Sequence, residues 1–231
     1  MFGRGLLRRL VVLVVLTLVT AVVVPGVMAP SASADGCSLN VNVGDVSSLI
    51  EAVDCYNDQS PAGDYTITLT SDIEIDDEYL DNAIDSDTDS GDLTIDGAGY
   101  EIFGDGADEY LLDIENDGTG TVYIKNITFT GAADDAIEWD GGNLDVRDSY
   151  FIDNDYDIWG GPDGGPGGDL TVVNVVFSIG YEDRPIKIDW EDAEAVMTVI
   201  ICNSSFDVNG EPSIEIDTGI PGIPDGNGLV D

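Results

Sequence analysis

The stretch Asp92–Tyr100 reads DLTIDGAGY, and Asp169–Phe177 reads DLTVVNVVF. Aligned on these phrases, the chain repeats itself. Leu93, Val122, Leu144, Leu170 and Val199 begin five copies, spaced 29, 22, 26 and 29 residues apart. Two residues on, each copy has a second apolar residue: Ile95, Ile124, Val146, Val172 and Ile201. Four residues on comes a turn-former: Gly97, Asn126, Asp148, Asn174 and Asn203. Seven residues on comes an aromatic: Tyr100, Phe129, Phe151, Phe177 and Phe206. Aromatics make up 8% of the chain, so composition alone does not put one in every copy.

Alternation within a repeat of this length is the pattern of a solenoid, in which each copy is one coil of short strands. Strand geometry puts positions zero and two inside and positions one and three outside. A second apolar strand closes most copies: Leu112 and Ile114, Ile137 and Trp139, Ile186 and Ile188, Ile214 and Ile216. The aromatics then form an internal column, and the Asn and Asp residues stack at a corner where their side chains hydrogen-bond to the coils above and below. A sandwich of hairpins gives the aromatic column no reason to exist. The irregular period argues against a rigid left-handed hexapeptide helix. The expectation is an all-β, right-handed parallel β-helix of about 5–7 coils. Its first edge needs a cover. Asp45–Asp58 supplies a short capping helix, with Leu49, Ile50 and Val53 on one face and Ser48 with Glu51 as its capping box. Ala62–Ile75 reads as the first strands.

Residues 1–34 read as a secretory signal peptide: Arg4, Arg8 and Arg9, an apolar run from Leu10 to Val24, and an Ala32-Ser33-Ala34 end. The cap occupies 35–62, the β-helix 63–217 and a tail 218–231. A secreted, extracellular chain with no membrane segment after cleavage follows. Removing the leader leaves 47 acidic residues against Lys125, Arg147, Arg184 and Lys187. That surface repels nucleic acid and other polyanions, and it suits high salt or bound cations. Secretion permits a Cys37–Cys55 disulfide, while Cys202 reads as an outward free thiol. Histidine is absent.

The Ser48-Leu49-x-x-Ala52-Val53 helix, GDYTITLTSDIEI (63–75), LTIDGAGYEIFGDG (93–106) and NITFTG (126–131) together resemble the secreted parallel β-helix proteins of the pectin lyase-like superfamily, nearest their adhesin-like surface members. The likeness covers roughly residues 46–216. It implies the fold more than an activity, because that fold hosts lyases, hydrolases and binding proteins. Hydrolases of the superfamily use paired aspartates, a GHG motif and an RIK-like motif. Asp134-Asp135 resembles the pair and Arg184-Pro185-Ile186-Lys187 resembles RIK, but without histidine there is no GHG. In so acidic a chain, the Asp pair reads as solvated turn residues. Lyases of the superfamily use calcium and a basic residue. Lys125 and Arg147 share an outer face with Asp96, Tyr123 and Asp145, either as base and clamp (Lys125, Arg147, Asp145) or as a ladder of ion pairs.

Calcium is the one cofactor suggested. Asp85, Asp87, Asp89 and Asp92 in DSDTDSGDLTID alternate as oxygen ligands do. PDGNGLVD (224–231) resembles the middle of a calcium loop. Asn126 and Asn203 lie in glycosylation sequons, but their places in the turn column assign them a structural role. The expected function is a non-catalytic surface, adhesive or carbohydrate-binding module with a cell-surface or polysaccharide partner. The alternative is a small extracellular polysaccharide lyase or glycoside hydrolase.

Overall fold

The computed structural model describes residues 37–58, 63–75, 84, 91–104, 110–115, 120–160, 167–178, 184–189, 196–207, 214–217 and 226–227. Strand β1 (Asn40–Val43) leads into helix α1 (Val46–Asn57). The coils follow: β2 (Tyr65–Leu69) and β3 (Ile73–Ile75); β4 (Leu93–Asp96), β5 (Glu101–Gly104) and β6 (Tyr110–Glu115); β7 (Thr121–Lys125), β8 (Thr128–Thr130) and β9 (Asp135–Gly141). Then come β10 (Asn143–Arg147), β11 (Tyr150–Ile152) and β12 (Tyr156–Gly160); β13 (Gly167–Val173), β14 (Val176–Ser178) and β15 (Arg184–Asp189); β16 (Val196–Cys202), β17 (Ser205–Asp207) and β18 (Ile214–Asp217). These eighteen strands form three parallel sheets of seven, six and five members, a β-solenoid of about five turns. Among the described residues, only the short β19 (Gly226–Asn227) runs antiparallel, against β18.

The repeat fixes the register. Leu93, Val122, Leu144, Leu170 and Val199 lie side by side across the first sheet, with Ile95, Ile124, Val146, Val172 and Ile201 beside them. Both rows face the core and are fully buried except in the last coil. Next to them runs a column of phenyl rings. Phe129, Phe151, Phe177 and Phe206 stack at centroid distances of 5.0, 5.2 and 4.8 Å. Offset stacking of this kind adds about 0.5–1.5 kcal/mol per pair beyond burial.

Tyr100 is not in that column. It is 38% exposed, and Ile102 takes the place beside Phe129. The corner of that coil is Gly97-Ala98-Gly99, two residues longer than the corner at Asn126, so the aromatic slides past the core. Gly97 is required there, because a Cβ would run into Ile127 and the backbone of Asn126.

In the four later coils a single residue turns the corner. Asn126, Asp148, Asn174 and Asn203 have φ of 55°, 49°, 56° and 53°, the left-handed region that Asn and Asp tolerate best among non-glycine residues. Their side chains link coil to coil: Asn126 Nδ2 donates to Asp96 Oδ1 at 3.0 Å, Asn174 Nδ2 to Asp148 Oδ1 at 3.0 Å, and Asn203 Nδ2 to Asn174 Oδ1. The amide nitrogens of both sequon asparagines are therefore engaged in the corner.

The first edge is covered differently from the expectation. β1 adds a strand ahead of β2, pairing Val41 with Ile67 and Val43 with Leu69. The alternating Leu39, Val41 and Val43 are the signal for it. Helix α1 packs on β1, β2 and β3 and buries Leu49, Ala52, Val53 and Tyr56. Its capping box is Asp45 with Ser48, not Ser48 with Glu51. Asp45 Oδ1 accepts from Ser48 N at 2.8 Å, and Ser48 Oγ accepts from Asp45 N at 3.2 Å. The helix thus starts one turn sooner, on a carboxylate that suits the positive end of the helix dipole. Cys37 and Cys55 are disulfide-bonded, and Cys202 is a free, exposed thiol.

The column makes a graded prediction. Phe151→Ala, in the middle, should cost about 3–5 kcal/mol in denaturant unfolding. Phe206→Ala, half-buried in the last coil, should cost less, and Tyr100→Ala no more than about 0.5 kcal/mol. Equal losses at Phe151 and Tyr100 would contradict the register.

Candidate functional site

Lys125 and Arg147 do lie on one outer face, neighbours in register beside Asp96. Each already has a carboxylate. Lys125 Nζ is 3.3 Å from Asp96 Oδ2. Arg147 grips Asp145 with two hydrogen bonds, Nε to Oδ1 at 2.5 Å and Nη2 to Oδ2 at 2.6 Å. Burial opposes the charge on Asp96, but bonds from Asn126, the Ala98 amide and Lys125 hold its carboxyl below the usual range. The hydrogen bond and charge of Asp145 raise Arg147. The groove at this corner, about 540 Å³, is lined by Asp96, Asn126, Asp148 and Tyr150 among others, and by neither cation. The geometry is that of the ion-pair ladder.

Asp85, Asp87 and Asp89 lie outside the described residues, as does most of the 224–231 segment. Asp92 accepts the Thr121 amide at 2.9 Å, a bond between coils. Among the described residues, the carboxylates that gather closely enough for a metal ion are Asp113, Glu115 and Asp140, whose oxygens lie within 4.8 Å of one another.

The outer face of the third sheet is the richer surface. Inward-facing Leu112, Ile137, Ile158 and Ile186 align across β6, β9, β12 and β15. The next residue along each strand therefore faces out, giving the row Asp113, Glu138, Trp159, Lys187 and Glu215. At the start of the same strands Tyr110, Asp135 and Tyr156 are neighbours. Tyr110, Asp134, Asp135, Glu138, Tyr156, Trp159 and Lys187 line a cleft of about 360 Å³. Inside the coil the packing is tight. Trp139 is fully buried, donates Nε1–H to the Gly141 carbonyl at 2.7 Å, and lies opposite Gly160, where a Cβ would strike its backbone.

Lys187 holds the cleft together. Its Nζ lies 2.9 Å from Asp189 Oδ2 and over the rings of Tyr156 and Trp159, at 5.7 and 5.6 Å. Burial works against its charge, but the bond and charge of Asp189 outweigh that and raise its pKa. Asp135 is not a solvated turn residue. It is 4% exposed, and its Oδ1 has no hydrogen-bond partner. Burial, then the charges of Asp134, Glu138 and Asp155, push its carboxyl up to about 8 against the pull of Lys187. Asp113, beside Glu138, is pushed up to about 7 by burial and by Glu138, Glu115 and Asp140.

Motif likeness alone connects Asp134-Asp135 with Lys187 only faintly, and the fold does bring them to one cleft. Tyr110, Glu138, Tyr156 and Trp159 belong to no motif, and sequence reasoning missed them. Parity was the available signal for Glu138 and Trp159: if Ile158 faces in, Trp159 faces out. Tyr110 and Tyr156 share the parity of inward Leu112 and Ile158, so alternation does not flag them. No family model, curated protein or solved structure matches this chain.

Asp135 also sets a pH dependence. Its folded-state pKa lies above that of an unfolded aspartate, so the folded protein keeps a proton that the unfolded chain releases. The resulting stability is complete below about pH 4 and is lost as the pH rises toward 8. The facing charges are Asp134 and Glu138 on and beside β9, Asp155 ahead of β12, and Lys187 on β15. The melting temperature should fall between mildly acidic and mildly alkaline pH, and Asp135→Asn should flatten that slope. An unchanged slope in the variant would contradict the assignment.

Proposed function

We propose that the protein is a secreted, right-handed parallel β-helix that binds carbohydrate without altering it, and that the cleft on the third sheet is its binding site. The observation that carries this reading is a part-exposed Trp159 set with Tyr110 and Tyr156 among carboxylates in one cleft. Sugar rings present an apolar face to stack on an aromatic plane and a rim of hydroxyls for charged acceptors. The row lies on strands of a rigid coil, which keeps such contacts pre-organised. A formal charge of −40 disfavours polyanionic glycans and leaves neutral or cationic ones.

Secretion is supported by the leader-like N-terminus and by the Cys37–Cys55 disulfide. No helix among the described residues is long and apolar enough to cross a membrane. The resemblance to the pectin lyase-like superfamily supports the right-handed coil and an extracellular glycan partner. The ion pairing of Lys125 and Arg147 counts against a lyase centred on them.

Hydrolysis is the second reading, favoured by one observation: Asp135 holds its proton at neutral pH in a cleft shared with Asp134 and Glu138, a split that suits a general acid. Calorimetric titration with neutral oligosaccharides, alongside an assay for new chain ends, decides between the two. The binding reading predicts saturable binding without cleavage. Trp159→Ala should weaken it by about ten-fold or more, the loss expected for one stacking aromatic, while Lys125→Ala leaves it unchanged. Cleavage that disappears in Asp135→Asn would replace this reading with the hydrolytic one. A folded protein that binds no glycan would overturn both.

A further inference from the structure

The cleft is unbalanced for a neutral ligand. Three of its lining residues are carboxylic acids, Asp134, Asp135 and Glu138, against one lysine. That lysine is already paired with Asp189. Asp135 is buried, yet its Oδ1 accepts nothing. A buried polar atom without a partner is costly, so such atoms in folded proteins call for an explanation. Around it stand aromatic rings whose faces attract cations, as Lys187 shows by lying over two of them.

We infer that the carbohydrate bound in this cleft carries free amines, as a polymer or oligomer of glucosamine does, with an ammonium group set against Asp135 and Glu138 beside Trp159. This rests on the carbohydrate-binding reading and names its ligand class. The sugar ring lies against the aromatic side chains while the ammonium sits at the Asp135 carboxyl, whose solvent-shielded Oδ1 feels its charge. An ammonium nearby favours the ionised carboxylate, offsetting the burial and like-charge repulsion that keep Asp135 protonated in the free protein. With part-exposed Glu138 the ammonium makes a charge-assisted bond, of the kind that is short and strong. A neutral sugar hydroxyl brings no charge to favour an ionised Asp135 beside Asp134 and Glu138.

The test is calorimetric titration of the full chain at mildly acidic pH, where the sugar amines are protonated. The probes are three oligosaccharides of equal length: glucosamine, N-acetylglucosamine and glucose. The expected result is binding of the glucosamine oligomer about ten-fold tighter than either neutral one, the scale of one charge-assisted hydrogen bond. In Asp135→Asn and in Glu138→Gln that preference should shrink toward unity. In Asp207→Asn, an exposed acid on β17, it should persist. Equal affinity for all three would overturn the inference and leave the carbohydrate-binding reading intact. So would a preference that survives Asp135→Asn and Glu138→Gln, because it would report only the attraction of a polycation to an acidic surface. Failure of all three to bind would remove both.

Discussion

Each coil must return to a corner directly above the last one, and in four of them a single residue makes the turn. Everything else depends on that return. A parallel stack has no hairpins to set its register. The corner does so instead, through a residue in the left-handed region whose side chain bonds to the next coil. Asn126, Asp148, Asn174 and Asn203 meet both demands. With the corner fixed, Leu and Val rows fall inside and phenyl rings stack. Alternation then sets which residues face out along most of each strand. Buried Ser149 and Asn154 add further bonds between coils: Ser149 Oγ accepts the Ile127 amide at 3.4 Å, and Asn154 Oδ1 accepts the Ala132 amide at 3.1 Å.

The coil was legible in the sequence because its constraints recur, and what does not recur was hidden. Leu93 and its counterparts, the Asn column and four phenylalanines could be aligned by eye. Tyr100 could not be excluded without knowing that Gly97-Ala98-Gly99 makes a longer corner. β12 was silent because Gly160 occupies the place where other coils carry an apolar side chain, leaving room beside Trp139. The cleft was hidden for a related reason. Tyr110, Glu138, Trp159 and Lys187 come from four coils, and no local motif links them. Only register puts them together, and the period of the third strand is obscured by loops of unequal length. Burial of Asp135 was likewise unreadable in a chain with 47 acidic residues, where composition makes any acid pair look ordinary.

Charge divides the surface into two kinds of site. On the first sheet the cations sit among acids and are consumed by them, Lys125 by Asp96 and Arg147 by Asp145. That arrangement relieves repulsion on the wall and leaves little for a ligand. On the third sheet acids outnumber the basic residues, and two carboxyls, Asp113 and Asp135, are pushed up to about 7 and about 8. Asp135, a perturbed acid in a cleft with part-exposed aromatics, is what supports the proposed binding site there.

If the corner-set register makes the outer face of the third sheet a binding surface, a bound sugar must be found there. The most direct measurement is a structure of the protein with an oligosaccharide bound. The expected result is a sugar ring against Trp159, with Glu138 and Asp135 within hydrogen-bonding reach of its substituents. A sugar seated instead on the Lys125 and Arg147 face, or in the corner groove beside Asn126 and Tyr150, would contradict it.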